Sequence, residues 1–199
     1  MRAEESLTTA AGCIPLVSMT LELIERLSGE AGKRGLEFLL IGGQAMIQHG
    51  YERLTLDVDF LGTEASRGTW REVMARYGYH AVAETPAFEQ FAHTEPGWPQ
   101  VDIMFVNPGT WSKLRGEAEA KVSGRVTVHV PSPSHMVALK LHAASSPQRE
   151  NAEKDWNDIL QLVRRHHLDP NDEKFAALVT RYGGTGALDR LKKSSRQLS

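Results

Sequence analysis

The sequence has one cysteine, Cys13, so no disulfide within the chain can brace a small core. A lone thiol suits a reducing compartment, and the cytoplasm is the expected location. No apolar run approaches the ~20 residues that would cross a bilayer, so no membrane partner is expected. The opening segment, MRAEESLTTAAG, carries two glutamates and no continuous apolar stretch, which makes a poor signal peptide. An excess of one charge is also missing. Lys and Arg number 23 against 25 Asp and Glu, for a net charge of −2. That removes a general basic field for nucleic acid and leaves at most a local patch. Neither an internal repeat nor a low-complexity tract interrupts the chain. What is present is 41% hydrophobic and 24% charged, with mean hydropathy −0.36, the composition of a globular protein. At 199 residues the chain is long enough for one domain with a real core and a small helical annex.

Apolar spacing organises the rest. Val17, Leu21, Ile24, Leu27 and Ala31 fall on one face of a helix. Phe38-Leu39-Leu40-Ile41 reads as a buried strand stopped by Gly42-Gly43, with a short helix from Ala45 to His49. Residues 54–61, 79–83, 88–93, 101–106 and 125–130 read as further strands, and 69–77 as a helix. Ser134 is a candidate N-cap for a helix running to about Ala144. From Arg149 to Leu191 the pattern is helical, with breaks near Asp169-Pro170 and Gly183-Gly184. The expected class is α/β (α+β): residues 1–130 form the core and 131–199 a helical C-terminal part. Whether the two parts share one core stays open.

The most informative stretch is Arg53-Leu54-Thr55-Leu56-Asp57-Val58-Asp59-Phe60-Leu61. In a strand, side chains alternate, so Arg53, Thr55, Asp57 and Asp59 share one face while Leu54, Leu56, Val58 and Phe60 pack on the other. Two carboxylates so placed repel each other unless a cation lies between them, and a hard divalent ion such as Mg²⁺ or Mn²⁺ suits them. A third, Asp102, stands opposite the apolar face Val101, Ile103 and Phe105. If its strand neighbours the first, three carboxylates can hold two metals for phosphoryl transfer, with Asp102 also a general base. A solvated strand face is the ordinary reading of a single Asp-x-Asp pair. The apolar strand, the Gly-Gly turn and the third Asp favour a metal site here. Gly42 and Gly43, lacking Cβ atoms, let the backbone approach a phosphate closely.

These residues resemble the DNA polymerase β-like nucleotidyltransferase superfamily. The resemblance rests on Ile41-Gly42-Gly43, the spacer 44–56, Asp57-Val58-Asp59-Phe60, and Asp102 on a later strand. More narrowly, Gly42-Gly43-Gln44-Ala45, His49-Gly50 and Arg53–Asp59 look like the AbiEii toxin-like nucleotidyltransferases. Those proteins carry a downstream Lys and a basic-Asp-x-x-Asp motif, matched here by Lys140 and Lys154-Asp155-Trp156-Asn157-Asp158. The resemblance covers about residues 36–165. It implies a short mixed sheet flanked by helices and a helical C-terminal part. It also implies transfer of a nucleoside monophosphate from an NTP such as ATP to an RNA or protein acceptor, with release of pyrophosphate. Asp57, Asp59 and Asp102 would be metal ligands, with Asp102 also the base. Gly42 and Gly43 would contact phosphate, Lys140 the triphosphate, and Asp155 would be a further active-site carboxylate. A cognate antitoxin would be a partner. Gly43 replaces the Ser of many minimal nucleotidyltransferases, as in the AbiEii-like group.

Other readings stay beside these. Lys140 is equally a lysine snorkelling from an apolar helix. Asp155 and Asp158 share a helix face, and ion pairs with Arg149, Lys154 or Arg164 explain them equally well, so Asp158 stays outside the expected site. Arg53 has a mixed role, binding phosphate and neutralising Asp57. His49, His166 and His167 lack partners at zinc spacing, and Trp98 and Trp111 read as packing groups at strand ends. No nucleophile-elbow pattern supports a hydrolase triad. A phosphatase or glycosyltransferase with an Asp-x-Asp motif fits the Gly-Gly turn poorly. A non-catalytic nucleotide- or partner-binding regulator on the same fold is the alternative function.

Overall fold

The computed structural model describes residues 16–145 and 152–196; Cys13, the opening segment and Arg149 lie outside them. Helix α1 (Leu16–Lys33) buries Ile24, Leu27 and Ala31 as its spacing predicts, but Leu23 joins them in the core while Leu21, expected on that face, is exposed at 37%. Then follow β1 (Leu39–Leu40), α2 (Gly42–Gln48), β2 (Val58–Thr63), α3 (Arg67–Arg76), β3 (Tyr79–Thr85), β4 (Phe88–His93) and β5 (Val101–Val106). The chain continues through α4 (Pro108–Gly116), β6 (Glu119–Ser123) and β7 (Val126–Val130). Three helices complete it: α5 (Pro133–Ala144), α6 (Ala152–Arg165) and α7 (Glu173–Arg196).

Five strands form one mixed sheet in the order β1-β2-β5-β4-β3, parallel only between β2 and β5, while β6 and β7 make a separate hairpin. This is the short mixed sheet flanked by helices that the resemblance implies. Phe60 on β2 stacks on Trp70 of α3 at 5.2 Å, with Phe38 edge-on to both, so one sheet face is sealed by aromatic packing. The apolar core runs continuously past residue 130. Met136, Val137, Leu141, Trp156 and Ile159 belong to the same cluster as Val58, Phe60 and Ile103. Among the described residues no helix is long and apolar enough to cross a membrane.

Several boundaries differ from the sequence reading, each for a physical reason. Strand β2 begins at Val58, not residue 54, because its partner β5 begins level with it, Val58 facing Val101. With no neighbour to pair with, residues 54–57 form an irregular segment. Leu54 and Leu56, expected on a packed face, are exposed there at 75% and 39%. Helix α5 is capped by Ser132, whose hydroxyl accepts from the His135 N–H, rather than by Ser134. Pro133 explains the earlier start, since proline lacks an N–H and suits the first turn. Helix α4 was not anticipated, although Asn107-Pro108 marks its start; the Asn107 side chain accepts from Thr110 N–H at 2.9 Å. Trp111 lies in that helix rather than at a strand end. Strand β6 was also missed. The breaks near 169–170 and 183–184 are present. The first separates α6 from α7, and Gly184, at φ 76° and ψ 174°, interrupts α7.

Candidate active site

The β2–β5 register decides the geometry. Asp59 faces Asp102 across a parallel pair, and Asp102 in turn faces Gln90 on β4, so the three side chains form a row on one face. Val58, Phe60 and Ile103 occupy the opposite, buried face. Asp57 lies one residue before β2, exposed at the rim, and its charge acts on both Asp59 and Asp102. Among the described residues no three His, Cys, Asp or Glu side chains are already grouped tightly enough to hold a metal, so Asp57 is not closed onto the other two.

The Gly-Gly corner is built around Asp59. Gly42 has φ +61°, and a Cβ there would overlap the Asp59 carboxylate. A Cβ on Gly43 would overlap Thr55, and the Arg53 guanidinium lies 3.0 Å from the same point. Both positions therefore require glycine for close approach, and Gly42 also for its backbone conformation. The Gly43 N–H donates to Asp59.

Electrostatics set these carboxylates apart. Burial pushes the Asp59 carboxyl above its ordinary range and Asp57 adds to the rise, against Lys140, the Gly43 N–H and Arg53. Asp102 is pushed up to about 6, first by burial and then by the charge of Asp59. Two amides oppose that rise: Gln90, and Gln100, whose Nε2 donates to Asp102 Oδ1 at 3.1 Å.

Beside this row lies a buried charge network. Lys140 Nζ stands 3.0 Å from Asp155 Oδ1 and 2.8 Å from Asp158 Oδ2, and all three side chains are buried. Arg53 Nη2 reaches the same Asp158 oxygen at 3.2 Å. Lys140 is thus a buried ion-paired group and not a surface lysine. Asp158, left out of the expected site, is central to it. Its signal was present in the sequence: Asp155 and Asp158 fall on the same helical face as Ile159 and Leu162, an apolar stripe that had to be buried. Gln90 and Gln100 were missed as well, because only the strand register reveals them. Of the three histidines, His49 donates from Nε2 to Pro131 O at 2.9 Å and meets His166 edge-on at 5.1 Å. Trp98 packs on His93.

A family model described as Nucleotidyl transferase AbiEii toxin, Type IV TA system, matches residues 27–198. The chain belongs to the AbiEii nucleotidyltransferase family. It is an enzyme of the nucleotidyltransferase class, as the motifs implied. No curated protein sequence matches it. Among solved structures it is similar to the antibiotic-resistance factor ANT(2'')-Ia in solution, at 14% identity and TM-score 0.64, covering 90% of this chain and 97% of that one. A crystal structure of ANT(2'')-Ia with adenylyl-2''-tobramycin matches at 17% identity and TM-score 0.62, covering 82% and 96%. An antigenic nucleotidyltransferase-like protein from Paracoccidioides brasiliensis matches at 15% identity and TM-score 0.53, covering 85% and 91%. At these identities the likeness is one of fold.

Proposed function

We propose that this AbiEii-family protein transfers a nucleoside monophosphate from an NTP to a hydroxyl of an RNA or protein acceptor, releasing pyrophosphate, with Mg²⁺ or Mn²⁺ as cofactor. The observation that carries this reading is the in-register pair Asp59 and Asp102 beside the Gly42-Gly43 corner. The residues fit a divalent cation: the donors are all hard carboxylate oxygens, and burial raises both members of the pair, with Asp57 adding to the rise of Asp59 and Asp59 to that of Asp102. Asp59 and Asp102 would hold it, with Asp57 at the rim. When bound, the metal neutralises the triphosphate and the charge that develops at phosphorus.

The chain's own groups account for the rest. Asp102, titrating near neutrality, takes the proton of the acceptor hydroxyl as its oxygen bonds to the α-phosphorus. The bond from that phosphorus to the bridging oxygen breaks, and pyrophosphate leaves. Gly42 and Gly43 let the backbone close onto Asp59, Thr55 and Arg53 and so shape the corner at which phosphate would bind. Arg53 and Lys140 supply positive charge toward the triphosphate, and Asp155 holds the Lys140 ammonium in place. The adenylyl group in the ANT(2'')-Ia complex supports ATP as the first donor to try. The family's toxin–antitoxin description supports a cognate antitoxin as partner and a cytoplasmic setting.

The test is incubation of the protein with each α-labelled NTP, Mg²⁺, and RNA and protein from cell extract. Label is expected in one acceptor fraction with the wild type and absent with Asp59→Ala. No labelled acceptor from any NTP would overturn the reading.

A further inference from the structure

Segment 51–57 joins α2 to β2 without strand pairing of its own. It nonetheless carries Asp57 and presses Thr55 and Arg53 onto Gly43. Something outside the sheet must therefore hold it, and the contacts come from α6. Asn157 Nδ2 donates to the Tyr51 hydroxyl at 2.8 Å, and Arg53 Nη2 donates to Asp158 Oδ2 at 3.2 Å. The first contact is exposed and the second largely buried. The Arg53 side chain is 12% exposed and that of Asp158 1%.

Low exposure makes the second contact the stronger constraint. A carboxylate so deeply buried is tolerated only when paired, and breaking such a pair leaves an uncompensated charge. Asp158 uses a single oxygen for both Arg53 and Lys140. Lys140 has a second carboxylate, Asp155, at 3.0 Å. Among the described residues Arg53 has no other carboxylate, and its Nε is buried without a hydrogen-bond partner. Loss of Asp158 therefore leaves Lys140 anchored and Arg53 without its ion pair, held only by the Leu54 carbonyl and the more distant charge of Asp59.

We propose that Asp158 is a positioning residue for nucleotide binding: it fixes Arg53, and with it the 51–57 segment, against the Gly43 corner. Asp158 itself touches no substrate. It sets affinity for the NTP through Arg53. This inference rests on the nucleotidyl-transfer reading above.

The experiment is equilibrium dialysis of full-length protein against labelled ATP, GTP, CTP and UTP in turn, with Mg²⁺ and no acceptor. It compares wild type, Arg53→Met, Asp158→Asn and the double variant. For the NTP that wild type binds best, each single variant is expected to bind about tenfold more weakly. The double variant should be no weaker than Arg53→Met alone, because both changes remove the same contact. A purely structural role would lower the folded fraction, followed by thermal unfolding, and leave the affinity of the folded molecules unchanged. Affinity of folded Asp158→Asn within twofold of wild type overturns the proposal, as do losses that multiply in the double variant. Should Asp158→Asn alone fail to fold, the double variant decides, since it removes the cation together with the carboxylate. Binding equal to Arg53→Met supports the proposal, and a further tenfold loss overturns it. Wild type that binds an NTP but transfers no label refutes the reaction while leaving this comparison intact. Wild type that binds none of the four refutes the positioning role too.

Discussion

Glu89 and Asp102 lie on neighbouring strands of one sheet and face opposite sides of it, and their charges are handled in opposite ways. Burial pushes Glu89 up, but Arg71 and Arg67 outweigh it and hold the carboxyl below its ordinary range. Arg67 Nη1 donates to Glu89 at 2.6 Å and Arg71 Nε at 2.8 Å. Asp102, by contrast, has among the described residues the amides of Gln90 and Gln100 for partners and another carboxylate, Asp59, beside it, and it rises to about 6. A buried acid clamped by guanidinium groups ties α3 to the sheet. A half-buried acid set against a second acid is poorly stabilised without a cation beside it. On the proposed function, the same sheet separates a structural face from a chemical one.

The largest test of that division is a pair of truncations. Asp59→Ala should lower nucleotidyl transfer by about 10³-fold or more, the scale of removing central electrostatic stabilisation. Glu89→Ala should instead cost about 2 kcal/mol in urea unfolding, because it leaves Arg67 without a carboxylate partner while Arg71 keeps Glu84, and transfer per folded molecule should hold. Equal losses of transfer in both variants would erase the distinction.

Asp102→Asn sharpens it. Transfer should fall by about 10²–10⁴-fold if the carboxylate is the base. Yet without divalent metal at pH 8 the variant should be more stable than wild type by about 1 kcal/mol, after discounting for a group left partly open to solvent.

The pH dependence follows in sign. Asp102 has a folded value above the unfolded one, so its ionisation destabilises the fold: the penalty is absent below about 4 and grows as pH rises through about 6. Glu89 runs the other way, its stabilisation present above the ordinary carboxylate range and lost as pH falls through its depressed folded value. Unfolding of metal-free wild type and Asp102→Asn should therefore diverge across that window. The smallest effect should come from Gln100→Ala. It removes an amide that opposes the rise of Asp102 and should move the acid limb of the rate up by a few tenths of a pH unit.

Much of this was legible from spacing alone. The alternation Val101, Ile103, Phe105 made Asp102 point away from the core, and the Gly42-Gly43 turn before the Asp57/Asp59 pair carried the resemblance that implied the fold. The starting point of β2 was not legible, since Leu54 and Leu56 alternate as a strand would and only the length of β5 limits the pairing. Nor was the partner of Arg53, because Asp158 lies 105 residues away and reaches it only through helix packing. Local pattern reveals which side chains share a face. Contacts between elements distant in sequence have to come from the fold.

The most direct measurement is Mn²⁺ binding followed by its electron paramagnetic resonance signal, with wild type, Asp59→Asn and Asp102→Asn. Saturable binding by wild type, lost or weakened at least tenfold in both variants, is the expected result. Binding that is absent in wild type at millimolar Mn²⁺ with NTP present, or unchanged in the variants, would contradict a cation centre on these two strands.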